Sequence, residues 1–154
     1  MALIAASENM GHSAQRRAVT LYTVAAIVSL IGLADSIYLT VEHMTGQSVR
    51  CTVIAGCSEV LSSPYATVRG YPLALFGAVA YFAVFSLALL SAFRYPFVGK
   101  LLMLIVGLMF ITTLVLLYLQ AFVIHHFCQF CLLSAAVTIT LTALVFLASR
   151  TPAR

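Results

Sequence analysis

The chain has 154 residues, 63% of them hydrophobic and only 8% charged, with a mean hydropathy of +1.10 and a formal net charge of +4. A water-soluble globular domain cannot solvate a surface that apolar, so this composition excludes one. The positive balance is not a nucleic-acid face either: eight basic residues scattered over the ends of apolar runs form no patch, and that distribution is typical of membrane topology signals.

In chain order, residues 1–17 read as a short tail. Four apolar runs then follow, at about 18–40, 72–93, 100–124 and 128–148, each long enough to cross a bilayer, which takes about 20 residues. Arg16 and Arg17 precede the first run as they would in a signal peptide. The run is too long for a signal-peptide core, however, and no small-x-small cleavage site follows it, so it reads as a retained span. The connection at about 41–71 is long. Within it, Gly56 gives room to turn beside Cys57, and Ser58-Glu59-Val60-Leu61 suits one helical turn, with Ser58 capping it and Glu59 favoured near its N-terminus. Val60 and Leu61 would dip into the membrane surface. Pro72 fits the first turn of the second span, where its missing N–H costs nothing. Arg94, Tyr95 and Pro96 break the second span from the third, and His125 and His126 break the third from the fourth. Residues 149–154 form a second tail. The expected fold is an all-α integral membrane protein: a bundle of four transmembrane helices over 18–148, with a long extracytoplasmic loop that carries a short half-helix.

Four spans put both termini and the 94–100 connection on one side. That side holds Arg16, Arg17, Arg94, Lys100, Arg150 and Arg154, against only Arg50 and Arg69 on the other. The positive-inside rule therefore puts the termini in the cytoplasm and the 41–71 loop outside. All four cysteines, Cys51, Cys57, Cys128 and Cys131, then lie on or beside outward segments, in a compartment where disulfides persist.

Cys128-Gln129-Phe130-Cys131 is a C-x-x-C at the start of the fourth span. Positions i and i+3 share a helix face, so the two sulfurs can meet. The unpaired N–H groups and positive dipole of a first helical turn stabilise a thiolate, the reactive form. Cys51 and Cys57 sit in the loop with five residues between them. Three readings of the four thiols are open: two structural disulfides, a zinc site with or without His125 and His126, and thiol–disulfide exchange between an outer and an inner pair. A C-x-x-C bridge closes too small a loop to stabilise much, and zinc usually takes a closed tetrahedral site in a soluble knuckle. In an exchange relay the inner pair, at the lipid edge, needs an apolar oxidant such as a membrane quinone.

The run from Cys51 through Cys57-Ser-Glu-Val-Leu-Ser-Ser63-Pro-Tyr, then Gly70-Tyr-Pro-Leu-Ala-Leu-Phe-Gly77, then Cys128-Gln-Phe-Cys131, resembles the vitamin K epoxide reductase (VKOR) family in its bacterial branch. The resemblance implies a four-helix bundle around a quinone pocket, with Cys131 facing the quinone, Cys128 accepting electrons from the loop pair, Cys57 attacking the Cys128 side and Cys51 exchanging with a partner. It also implies that Ser63 lies near the quinone. The activity it points to is reoxidation of a separate periplasmic thioredoxin-fold protein (of the DsbA type), with the electrons ending on ubiquinone or menaquinone, in the bacterial inner membrane. No metal is expected. Vertebrate members bind vitamin K through an asparagine in the second span and a tyrosine four residues after the C-x-x-C. By offset those positions resemble Leu73 and Ala135 here, a departure that speaks against epoxide reduction and leaves quinone reduction intact. The alternatives are an epoxide reductase proper and a non-enzymatic tetraspan protein with structural or metal-binding cysteines.

Other residues carry weaker signals. Asp35 lies inside the first span, where an acid is costly and marks either function or a hydrated interface. His125 and His126 can modulate the neighbouring thiols or simply flank a turn. Gly32, Gly77 and Gly107 suit close helix approach. Among the aromatics, Phe76 adjoins Gly77 and Phe130 lies between the inner cysteines, which makes these two the candidate pocket walls. Arg69 and Gly70 would shape the return of the loop.

Overall fold

The computed structural model describes residues 2–46, 56–93, 95 and 97–150, with side chains from His12 onward. Cys51 lies outside the described residues, as do Arg50, Arg94 and Arg154. Four helices are long and apolar enough to span a membrane: His12–Thr45 within α1 (Ala2–Thr45), α3 (Leu73–Ala92), Val98–Ile124, and α5 (Gln129–Arg150). The chain is a multi-pass membrane protein with an all-α tetraspan bundle. The helix of the first span begins at Ala2, well before the break expected near residue 18. Arg16 and Arg17 are compatible with helix and do not interrupt it.

The third span is compound. Its α-helical part, α4 (Val98–Tyr118), passes into a π-helical turn at Leu119–Ile124, which ends at His125 in the left-handed region (φ 57). Among the described residues, the connection between the first and second spans holds a short helix, α2 (Cys57–Leu61), then a 3₁₀ turn at Pro64–Ala66 and a two-strand hairpin, β1 (Thr67–Val68) with β2 (Tyr71–Pro72). Arg69 and Gly70 turn the hairpin with positive φ at both positions (53 and 84), the geometry that matches the twist of paired strands. The expected helical turn is therefore present, but it starts one residue earlier. Gly56 precedes it with no side-chain cap, and the Ser58 hydroxyl donates to Glu59 Oε2 at 2.9 Å instead of capping.

In lipid the hydrophobic effect does not drive helices together, so the bundle depends on close packing of small residues and on interhelical hydrogen bonds. Both are present. α1 packs most extensively on α3 and next on α5, with Ala25, Ala26 and Ser29 buried on its inner face. A Cβ on Gly32 would run into the Tyr81 ring, so the absence of a side chain there lets that ring lie across α1. Tyr81 in turn ties α3 to α5: its hydroxyl lies 2.7 Å from Ser134 Oγ and 2.9 Å from Thr138 Oγ1. Gly77 admits Ser36 in the same way, whereas Gly107 meets nothing within 4 Å. The main core runs from Tyr81 through Val84, Leu102, Val137 and Leu141 towards Val145. A second apolar cluster closes the end of the bundle where the loop packs, built from Leu39, Cys57, Val60 and Cys128. The outer face of α4, with Leu104, Leu108 and Ile111 more than half exposed, is apolar and suits lipid.

Candidate redox site

The two cysteine-bearing segments meet because of a glycine. Gly56 has φ 140, a conformation that side chains rarely adopt, and a Cβ there would sit 2.9 Å from the Phe127 carbonyl oxygen and 3.2 Å from His126 Cβ. Without that Cβ, α2 lies directly against the turn that leads into α5. Cys57 and Cys128 are consequently packed in one cluster, at 1% and 0% exposure. Cys57 is disulfide-bonded, and Cys128 and Cys131 are free thiols.

Cys128 sits at the head of α5, where its carbonyl accepts the first helical bond, from Leu132 N–H at 3.0 Å. Its sulfur faces the side chain and backbone N–H of Cys131 and the N–H of Phe130. Hydrogen bonding from the Cys131 side chain, helped by those N–H groups against burial, lowers the Cys128 thiol below the ordinary thiol range. The helix-start chemistry expected of the C-x-x-C is thus visible as specific donors.

Beside this pair, at the same end of the bundle, lies a cavity of about 150 Å³. An apolar protein cavity of that size holds a benzene ring. α1 contributes Asp35, Ser36, Leu39 and His43 to its wall, and the loop contributes Val60, Leu61, Ser63, Tyr65 and Ala66. The head of α3 adds Pro72, Leu73, Ala74 and Gly77, the third span adds Leu116, Leu119, Gln120 and Ile124, and α5 adds Cys131 and Ser134. Val60 and Leu61, expected to dip into the membrane surface, cover this cavity instead. A second cavity between α3, α4 and α5 shares Leu73, Gly77, Leu116 and Ser134 with the first and continues into the bundle beside Phe76 and Tyr81.

The candidate residues divide by position. Cys131, Ser63, Leu73 and Asp35 line the first cavity. The Ser63 hydroxyl donates to Val60 O at 2.7 Å, which leaves its oxygen as an acceptor towards the cavity. Both carboxylate oxygens of Asp35 are buried and have no hydrogen-bond partner among the described residues. Phe76 is half exposed and lines only the second cavity. Phe130 stacks on Tyr38 with ring centroids 5.1 Å apart and supports the cysteine cluster from outside the lining. Ala135 is buried and reaches neither cavity. His125 and His126 are exposed on the turn, away from the cavity. Glu59, on the exposed face of α2, has its carboxyl lowered by its own backbone N–H and the Ser58 hydroxyl, with a smaller contribution from His126.

Three polar residues of the wall carried no sequence signal that was used: Gln120, His43 and Ser134. Gln120 is the most notable, an amide 3% exposed inside an apolar span, whose Oε1 accepts the Cys128 N–H at 3.3 Å. A lone carboxamide within the third apolar run is the clue that the sequence offers.

The chain matches the vitamin K epoxide reductase family over residues 23–146, a stretch that includes both cysteine segments, the cavity wall and the packed core of all four spans. Members of that family are oxidoreductases, and this chain belongs to it.

Proposed function

We propose that this protein is a thiol oxidoreductase that draws electrons from a secreted thioredoxin-fold dithiol and delivers them to a membrane quinone. One observation carries the reading. Cys131 stands in the wall of a ring-sized apolar cavity, while Cys128 is buried behind it in the same cluster as Cys57. The position of each sulfur suits one role. Cys51, whose part rests on the family resemblance, exchanges with the partner dithiol and leaves Cys51/Cys57 reduced. The Cys57 thiolate attacks Cys128 of the inner disulfide, Cys131 leaves as thiolate, and Cys51 resolves the mixed bond. The inner dithiol then re-forms its S–S bond, its two electrons go to the quinone, and two protons end on the quinone oxygens. The overall balance is one dithiol oxidised for one quinol formed.

The cavity suits the quinone ring, with Ser63 and Leu73 in contact with it and Asp35 able to hold a proton at its edge. Phe76 flanks the second cavity, which suits an apolar tail. Phe130 and Ala135 act from behind the wall, and His125 and His126 act at most through the turn they form. The apolar side chain of Leu73 in the wall favours simple quinone reduction over epoxide chemistry. The bias of basic residues supports termini in the cytoplasm and the cavity end outside it. In this reading, which rests on the family resemblance, the membrane is a bacterial inner membrane and the acceptor ubiquinone or menaquinone.

The test is purified protein in detergent with a reduced thioredoxin-fold partner and a short-chain soluble quinone. Quinol formation that requires the partner and is abolished in Cys131→Ala is the expected result. Absence of quinone-dependent thiol oxidation in the unsubstituted protein would overturn the proposal.

A further inference from the structure

We propose that Gln120 is the positioning residue of the inner dithiol: one side chain holds the backbone of Cys128 and donates to the sulfur of Cys131, which sets how Cys131 is presented to the cavity. This rests on the reading that the pair reduces a quinone.

The argument starts from cost. A carboxamide almost wholly removed from solvent within a membrane span is expensive unless its groups are hydrogen-bonded. Gln120 also occupies the π-helical turn at the end of α4. Such a turn is rare within α-helices and is frequently found at functional sites. Here the widened turn aims the amide at the head of α5. Its two ends can be assigned by chemistry. The Cys128 N–H can only donate, so the atom facing it at 3.3 Å is the carbonyl oxygen Oε1. The Nε2 end is then the donor end of a side chain that lines the same cavity wall as Cys131, which makes the Cys131 sulfur its acceptor in this proposal. Gln120 also forms part of the cavity wall beside Cys131.

This arrangement suits the chemistry of the pair. When the Cys128–Cys131 bond forms, two electrons pass to the quinone and the two thiol protons finish on its oxygens. Loss of the thiol proton puts negative charge on the Cys131 sulfur before its electrons pass on, and an N–H directed at Sγ in a low-dielectric site stabilises that thiolate. The grip on Cys128 N–H fixes the first turn of α5, and with it the direction of both sulfurs.

Two variants separate this role from packing. Gln120→Met keeps volume and removes both contacts. Gln120→Glu keeps an acceptor for Cys128 N–H but turns a carboxylate towards Cys131, and only the protonated carboxyl can donate. The full-length protein is reduced, freed of reductant, and mixed with a short-chain quinone in a single-turnover measurement. Gln120→Met is expected to slow quinol formation by about tenfold to a hundredfold, the effect of losing a hydrogen bond to a charged group. Gln120→Glu is expected to be slowed at neutral and alkaline pH, with its rate relative to the unsubstituted protein rising as pH falls. The other titratable groups facing this site are Asp35 and His43 from α1, Tyr65 from the loop, and Cys128 and Cys131 themselves, while α3 presents none to it. They are common to both proteins, so the ratio isolates the new carboxyl. Unchanged rates, or a slowing of Gln120→Glu whose ratio does not vary with pH, would overturn the proposal. Iodoacetamide labelling of Cys131 in the reduced protein reads the same contact without quinone. Gln120→Met should lower its rate about tenfold, and an equal rate overturns the role of Gln120 even if quinone reduction itself fails.

Discussion

Gly56 and Phe127 approach so closely that a Cβ on the glycine would lie 2.9 Å from the Phe127 carbonyl oxygen. This contact places the half-helix between the first two spans against the turn before Cys128 and joins residues 71 apart in the chain. Gly56→Ala adds both that clash and backbone strain at φ 140, worth roughly 1–3 kcal/mol. The expected outcome is a displaced α2, with slower electron transfer from the partner to the inner pair. Quinone reduction by a chemically pre-reduced inner pair should change little. Stopped-flow measurement of the two half-reactions checks this, and equal slowing of both would contradict it.

Cys128 should titrate below an ordinary thiol. Ultraviolet absorbance of the thiolate in the reduced protein follows this directly. The sign is definite: the thiolate persists below the ordinary thiol range and is lost only on further acidification. Because the Cys131 side chain is the largest cause, Cys131→Ala should move the Cys128 midpoint upward, towards the ordinary value of 9.0. A midpoint that does not move would assign the shift to the helix N–H groups alone.

Gly32 and Tyr81 are a size-matched pair at the centre of the bundle. Gly32→Ala drives a methyl into the Tyr81 ring and should lower thermal stability in detergent. Tyr81→Phe leaves the ring in place but removes the hydroxyl that meets Ser134 and Thr138, at an expected cost of about 1 kcal/mol. The double variant Gly32→Ala/Tyr81→Phe should be no better than Gly32→Ala, since the clash is with the ring. Gly32→Ala/Tyr81→Val should recover part of the loss. Recovery in the Phe double variant would show that the hydroxyl network, and not the ring, conflicts with the methyl.

Asp35 carries a buried carboxyl with no partner among the described residues, at the edge of the cavity. Asp35→Asn should leave thermal stability equal or raise it by about 1 kcal/mol, because an orphan acid in a low-dielectric site is a cost. Quinol formation should fall by roughly tenfold, the scale of a lost positioned proton carrier. A stability loss together with normal turnover would make Asp35 structural.

Much of this protein is legible before any fold is known. The four spans follow from run length, because a bilayer admits no unpaired backbone and so demands long apolar helices. The family is recognisable from Cys51, Cys57, Cys128 and Cys131 and the motifs around them, and the roles proposed for those cysteines are what the resemblance implies. What the sequence could not settle was rotation about each helix axis. When almost every residue of a span is apolar, no periodic pattern separates the face towards the bundle from the face towards lipid. Phe76 and Phe130 looked like cavity walls by adjacency, yet only the tertiary structure decided that Leu73, Ser63 and Asp35 line the first cavity while both rings stand outside it. Gln120 escaped notice for a related reason. The π turn that aims it inward is a change of helical register, set by what α4 must pack against and invisible to a count of apolar residues. The sequence by itself determined the membrane spans and the four thiols. The packing of the helices decided which side chains surround those thiols, because in lipid close steric fit sets how each helix turns, and hydropathy does not.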